Sequence, residues 1–250
     1  MAKETGISWT DSTFNPWIGC TKVSPGCDHC YAEALMDTRW GQVRWGNGQE
    51  RRRTSPSNWY QPLRWNREHE AFASTHDGRR RRVFCASLAD VFDPEVPDAW
   101  RHDLWALIDQ TPNLDWLILT KRIGNANRMR PPNGWPKHLW LGATVVSDKE
   151  YQRDLPKLLA IPAALHWISV EPMLGPIDTI GYNFLRLDWV VCGGESGAGA
   201  RPIQRAWIDQ LRHDCEHRDI PFFFKQWGGP RAGGDALLDG AEVKAWPQSP

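Results

Sequence analysis

Short apolar runs separated by longer amphipathic stretches recur along this chain, and that alternation restricts its fold more than any other feature. The runs Val83–Ser87, Trp116–Thr120, Trp140–Val145, His166–Val170, Trp189–Gly193 and Phe222–Lys225 have the length and near-continuous apolar character of strands buried on both faces. Helical periodicity marks Pro97–Gln110, Lys149–Ala160 and Ala206–Arg218, with Asp98 and Asp148 as the expected N-caps of the first two. Strand and helix in alternation predict an α/β protein, a partial or complete (β/α) barrel of about six to seven parallel strands. A weaker first strand is expected from Phe14 to Gly19, at an edge because Pro16 interrupts it. A helix from Tyr31 to Trp40 should follow.

Residues 1–228 read as a single domain. Within it, 41–82 carry Trp, Arg, Asn, Gly and Pro without a sustained period, as a long insertion would. Residues 229–250 form a Gly/Pro-rich tail with an expected hairpin at Asp239-Gly240, suited to a lid or an edge cover. The sixteen Trp exceed what core packing alone should need, so some are expected at a pocket or a partner surface. Formal net charge is zero, so no global field favours nucleic acid; the local basic runs are Arg51-Arg52-Arg53 and Arg79 to Arg82. No stretch approaches the roughly 20 apolar residues of a membrane span, and the amino terminus lacks a signal peptide's apolar region. Six irregularly spaced cysteines do not suit a secreted disulfide scaffold. The expectation is a cytoplasmic protein with no membrane partner.

Three of those cysteines, Cys20, Cys27 and Cys30, fall in CTKVSPGCDHCY with the spacing C-x6-C-x2-C, and no further cysteine comes before Cys85. Three thiolates can hold three irons of a [4Fe–4S] cluster and leave the fourth iron open to a substrate or cofactor. A structural zinc site needs four ligands, and only His29, lying between two of the thiols, offers itself as the fourth. A disulfide would use two thiols and leave one over. Ligand arithmetic favours the cluster over zinc or a redox pair. Cys85 and Cys192, inside apolar runs, and Cys215, in a helical stretch, read as buried small hydrophobes.

In a parallel barrel the working face lies at the carboxyl ends of the strands. Each expected strand delivers polar groups there: the cysteine loop, then Ser87 with Asp90, then Thr120-Lys121-Arg122. Thr144, Glu171, Gly193-Gly194-Glu195 and Lys225-Gln226 follow in turn. One such residue reads as a helix cap or a solvated loop; agreement across seven strands points to a shared pocket. In CGGESGAGARP, the glycines let backbone approach a ligand and could form an anion-binding nest, while Glu195 and Arg201 add opposite charges. Neither a G-x-G-x-x-G order nor a P-loop lysine occurs. Glu171 could receive an ammonium or a ribose hydroxyl, or pair with Lys121 or Arg122.

The chain resembles the radical S-adenosylmethionine superfamily, and more closely the phage-associated three-cysteine-motif proteins of unassigned function. The matching stretches are FNPWIGCTKVSPGCDHCYAE, LILTKR, LGATV, ISVEPMLGPI, VVCGGESGAGARP and FFFKQWG, from residue 14 to about 228. The resemblance implies a [4Fe–4S] cluster on Cys20, Cys27 and Cys30 whose open iron chelates S-adenosylmethionine. Reduction by an external electron donor would then yield a 5′-deoxyadenosyl radical that takes hydrogen from a substrate. It further implies that His29 or Tyr31 packs near the adenine and that Ser87, Asp90, Lys121, Thr144 and Glu171 line the cofactor site, with Gly193, Gly194 and Glu195 beside them. Lys121, Glu171 and Glu195 are then the candidate catalytic groups, and Arg201, Lys225 and Gln226 lie nearer the substrate.

Three features depart from the superfamily pattern. Its usual spacing is C-x3-C-x2-C, and its aromatic before the last cysteine is His29 here. Its Gly-Gly-Glu element follows the second strand, whereas Gly193-Gly194-Glu195 follows a much later one, so the methionyl-amine role is not transferred. Arg runs and abundant Trp make a nucleotide or nucleic acid a candidate substrate, through phosphate neutralisation and base stacking. A partner protein could complete the active site at the insertion. The alternative is a non-enzymatic, zinc-bound nucleic-acid-binding module.

Overall fold

In the computed structural model, which describes residues 5–230 and 235–250, seven parallel strands lie side by side in chain order. They are β1 (Ser12–Thr13), β2 (Arg81–Cys85), β3 (Leu114–Thr120), β4 (Leu139–Thr144), β5 (Leu165–Val170), β6 (Trp189–Gly193) and β7 (Phe222–Gln226). The sheet curls into a half-barrel flanked by helices. Helices α1 (Asp98–Asp109), α2 (Asp148–Leu159) and α3 (Arg205–Glu216) make the crossovers β2–β3, β4–β5 and β6–β7. The β3–β4 and β5–β6 crossovers contain only single 3-10 turns, Ile123–Asn125 and Phe184–Arg186. Pro131, Pro132 and Pro136 in one, and Pro172 and Pro176 in the other, withhold the N–H groups a longer helix needs.

Side chains alternate between the two sheet faces, as the strand period of two requires. Val83, Cys85, Trp116, Ile118, Leu141, Ala143, Ile168, Val190, Cys192 and Phe224 join the main core with the helices. The residues between them, Phe84, Leu117, Trp140, Trp167, Trp189, Val191 and Phe223, form a second cluster together with Trp9. Its rings meet edge-on or tilted: Trp9–Phe84 at 4.6 Å, Trp9–Trp167 at 5.3 Å and Trp167–Trp189 at 5.1 Å between centroids. Half of the tryptophans therefore serve the interior. Eight of the sixteen are buried, and Trp40 alone is among the exposed large hydrophobics of the described residues.

Several local expectations need correction. The sheet strand near the amino terminus is Ser12–Thr13, registered on Val83 and Phe84, not Phe14 to Gly19. Trp17–Ile18 instead leaves the sheet to pair antiparallel with Arg52–Arg53, because Pro16 cannot donate to a ladder. The edge placement stands, since β1 ends the strand order. The caps of α1 and α2 are Pro97 and Ser147. Asp98 and Asp148 sit one residue inside, where a carboxylate meets the positive end of the helix dipole. After Tyr31–Glu33 the expected helix widens into a π-helical turn, Ala34–Arg39.

The segment after it is not loop throughout, for Pro56–Trp59, Gln61–Arg67 and His69–Ala73 are short helices. They bury Trp65 and Phe72. Prolines at each of the first two starts cut the run into pieces too short for a helical period to register.

In the tail, 231–234 lie outside the described residues. Leu237–Leu238 pairs with Ala241–Glu242 across Asp239 and Gly240, both left-handed at φ 54° and 77°. Beyond the hairpin, Phe224 donates its backbone N–H to Val243 O and Ala245 donates to Phe222 O, so the tail covers the free edge of β7. No helix among the described residues is long and apolar enough to cross a membrane.

Gly142 of β4 lies directly opposite Trp167 of β5. A Cβ there would meet the indole at 2.3 Å, so only glycine leaves room for that ring. Gly142→Ala should lower stability by about 1–3 kcal/mol through overpacking. Urea denaturation is expected to show a reduced midpoint at unchanged slope; an unchanged midpoint would refute this packing role.

Candidate functional site

The cysteine loop runs over the carboxyl ends of the strands and is tied down at several of them. Gly19 donates to Leu88 O, beyond β2. Arg122, beyond β3, donates from its guanidinium to Thr21 O at 2.7 Å. Gly26 packs so close to Val146, beyond β4, that a Cβ would lie 2.6 Å from Val146 Cγ1 and 3.4 Å from Lys121 Cε. Within the loop, Ser24 caps the turn Pro25–Cys27, its hydroxyl accepting from Gly26 N at 3.0 Å. Cys30 then precedes the helix at Tyr31.

The turn after β6 locks the loop from the other side. Buried Glu195 accepts from His29 Nδ1 at 2.9 Å, from Arg201 Nε at 2.9 Å and from Arg201 N at 2.9 Å. Arg201 reaches on to Asp28 Oδ2 at 3.1 Å and Pro25 O at 2.8 Å. Burial by itself would raise the Glu195 pKa, but the bonds from Arg201 and His29 outweigh it and hold the value at about 2. Glu195 and Arg201 were expected at a ligand. Here their charges meet each other, and the pair acts as a latch on residues 25–29.

Electrostatics at the thiols pull in opposite directions. Burial, reinforced by Asp90, pushes the Cys20 thiol up to about 12, while Arg122 opposes it from 3.6 Å. Burial also pushes Cys30 up, against the backbone N–H groups of Glu33 and Ala32 and the charge of Lys121. All three loop cysteines are free thiols, half-buried.

The other expected site residues fall into two groups on the same rim. Near the loop, Tyr31 donates its hydroxyl to Ser87 O at 2.7 Å, while the Ser87 hydroxyl meets Asn15. Asp90 accepts from Thr120 Oγ1 at 2.8 Å, Lys121 N at 3.0 Å and Phe92 N at 2.9 Å, so its carboxylate pins the ends of β2 and β3 together.

Across the mouth, Lys225 Nζ lies 2.8 Å from Glu171 Oε1, and Ser169 donates to Glu171 Oε2 at 3.1 Å. Glu171 thus pairs with Lys225, not with Lys121 or Arg122. Thr144 stands beside Ser169 in the ladder and is buried. Gln226 donates to Ser196 Oγ and, at 3.4 Å, to Gly194 O. Gly193 and Gly194 face close neighbours: a Cβ on Gly193 would lie 3.1 Å from Glu171 Oε1 and 3.4 Å from Gln226 O of β7, and one on Gly194 1.9 Å from Trp227 O.

Two supporting residues were not legible as such. Arg51, read as part of a basic run, is buried and holds Asp93 at 2.8 Å, Glu95 at 2.6 Å and Thr21 Oγ1 at 2.7 Å, fixing the base of the cysteine loop. Arg122 was visible only as a strand-end cation. Its Nε is buried with no hydrogen-bond partner although its terminal nitrogen approaches Cys20 Sγ.

Among the described residues, no three or more His, Cys, Asp or Glu side chains are gathered closely enough to hold a metal ion. Three thiols are the donor set of a [4Fe–4S] cluster with one open iron, whereas zinc would take His29 as its fourth ligand. Three unpaired thiols share one loop beside Lys121 and Arg122, and His29 between two of them is held by Nδ1 on Glu195. An under-partnered buried guanidinium beside a thiol also suits a thiolate-bearing, anionic centre.

Fold and rim define an α/β half-barrel protein with a latched cysteine loop at the carboxyl ends of its strands. Over residues 4–247 the chain matches the family described as "Protein of unknown function (DUF5131)", and it belongs to that family. No curated protein and no solved structure matches it.

The latch has a pH signature. Because the folded-state pKa of Glu195 is about 2 against an ordinary 4.5, its contribution is complete above pH 4.5 and fades as pH falls towards 2. Glu195→Gln should therefore cost about 2–3 kcal/mol at neutral pH. Denaturation of both proteins across acidic pH should show that difference shrinking through this window; a pH-independent difference would contradict the latch.

Proposed function

We propose that the chain is a radical S-adenosylmethionine enzyme whose loop thiols Cys20, Cys27 and Cys30 hold a [4Fe–4S] cluster. Kinship with that superfamily and the phage association belong to this proposal. The observation that carries it is three free thiols in one loop, latched over the carboxyl rim of a parallel half-barrel beside two cations. When bound, the cluster with S-adenosylmethionine would supply a 5′-deoxyadenosyl radical, made with an electron from an external donor. Cys85, Cys192 and Cys215 are buried in the apolar core.

The chain's own residues bind, orient and exclude water. Arg122 and Lys121 work against the burial that raises the thiols of Cys20 and Cys30. The Glu195–Arg201 latch and the Arg51 network fix where the thiols stand. Glu171 and Lys225 present a paired carboxylate and ammonium at the mouth, suited to polar groups of a cofactor or substrate, with Thr144 and Ser169 beneath them. Exposed Tyr31 and Trp40 flank exposed Arg39 on the segment after the last loop cysteine. That mixture of π-faces and cations supports a nucleotide or nucleic acid as substrate. The same exposed segment is where a partner protein would meet the loop.

Anaerobic purification followed by iron and sulfide analysis tests this reading. About four irons per chain and a broad band near 400 nm are expected. Dithionite with S-adenosylmethionine should then release 5′-deoxyadenosine, and Cys20→Ala, Cys27→Ala and Cys30→Ala should each lose the cluster. Stoichiometric zinc without iron would instead support a zinc-bound nucleic-acid-binding module. A cluster that never cleaves S-adenosylmethionine would end the enzymatic reading.

A further inference from the structure

The amino-terminal end of β2 lies at the opposite end of the strand from the cysteine loop and opens on a cavity of about 410 Å³. Arg79, Arg80, Arg82, Asp77 and the tail residues Pro247 to Pro250 line it. Two of the three guanidiniums are neutralised: Arg79 pairs with Asp11 at 2.6 Å and Arg80 with buried Asp115 at 2.8 Å. Asp77 is exposed, so water screens its charge. Arg82 is different. Among the described residues no carboxylate lies within ion-pair distance of it, and its Nε is buried without a hydrogen-bond partner.

The Arg82 guanidinium lies over Trp246 at 5.0 Å and Trp140 at 5.8 Å. Ring faces attract a cation but return less than its removal from water takes away. Burial, reinforced by Arg79, accordingly pushes the Arg82 pKa down to about 10. The group stays charged at neutral pH and under-compensated, with a cavity in front of it. Arg80 adds direction: its terminal nitrogen donates to Pro250 O at 2.8 Å, so an oxygen acceptor already occupies one corner of the space. Ser249 anchors that tail by donating to Asp115 Oδ2 at 2.7 Å.

We propose that this cavity is an anion site that takes the phosphate group of a phosphomonoester, with Arg82 and Arg80 donating to its oxygens. Planar guanidinium forks match phosphate geometry, and a phosphate would give the Arg82 guanidinium the counter-charge that no carboxylate among the described residues provides at ion-pair distance. The volume lies within the range of small-molecule sites, roughly 300–1,000 Å³, and leaves room for an organic group beyond the phosphate. The site shares no residue with the cysteine rim and does not rest on the proposed cluster chemistry.

Isothermal titration of the full chain with orthophosphate, and separately with adenosine 5′-monophosphate, tests the site at low and high salt. Saturable binding that weakens with salt is expected. A stronger response to the nucleotide would show that the rest of the cavity is used; equal responses would assign the affinity to the phosphate alone. Arg82→Gln should reduce affinity about tenfold or more, and Arg80→Gln should also weaken it. Arg82→Lys, keeping the charge without the fork, should fall between wild type and Arg82→Gln. Should Arg82→Gln fail to fold by circular dichroism, Arg80→Gln decides. Absence of binding by either ligand at millimolar concentration, or unchanged affinity in the folded deciding variant, would overturn the assignment.

Discussion

A half-open parallel sheet has two broad faces to remove from water, and the packing of its concave face sets the rest of this structure. Trp9, Trp140, Trp167 and Trp189, with Phe84 and Phe223, occupy that face, while helices cover the other. The inner layer works because one opposing position is empty of side chain: Gly142 yields its space to the Trp167 ring. Parallel register then brings all the strand ends out at one rim, which is why residues distant in sequence, from Cys20 to Gln226, share a neighbourhood. The tail completes the enclosure by hydrogen-bonding along the free edge of β7 and laying Trp246 against Phe223, 5.0 Å between ring centroids.

On that rim the cysteine loop has little secondary structure of its own and borrows its position. Arg51 and Arg122 hold its start, Val146 crowds its middle, and Glu195 with Arg201 closes over Asp28 and His29. Charge is distributed with the same economy. Most arginines of the basic runs meet carboxylates or aromatic faces internally: Arg53, for instance, pairs with Asp103 and stacks on Trp59 at 4.2 Å. Zero net charge over the chain is therefore the sum of many local pairings, and Arg82, beneath the barrel, meets aromatic faces without a carboxylate at ion-pair distance among the described residues.

How much was legible in the residues depended on how local the physics was. Six of the seven sheet strands were found within a few residues, because each is a β-rich apolar run bounded by turn-forming residues. The hairpin at Asp239-Gly240 was also legible, since that dipeptide suits two successive left-handed residues. The first strand was misplaced by the apolar appeal of Phe14 to Gly19; which piece entered the sheet depended on Pro16 and on a distant partner at Arg52–Arg53. The helices of 56–73 escaped notice because each is too short to display a period.

The sequence by itself determined the class of fold, the carboxyl-end placement of the cysteine loop and the polar character of every strand end. Those follow from periodicities of two and 3.6 and from the single direction shared by parallel strands. Only the tertiary structure decided which polar groups face one another. Glu195 turned out to hold Arg201 and His29, Glu171 to hold Lys225, and Asp90 to pin two strand ends. Such partnerships form across 6 to 166 residues of chain, where distance in space is set by sheet order and curvature and leaves no trace in local pattern.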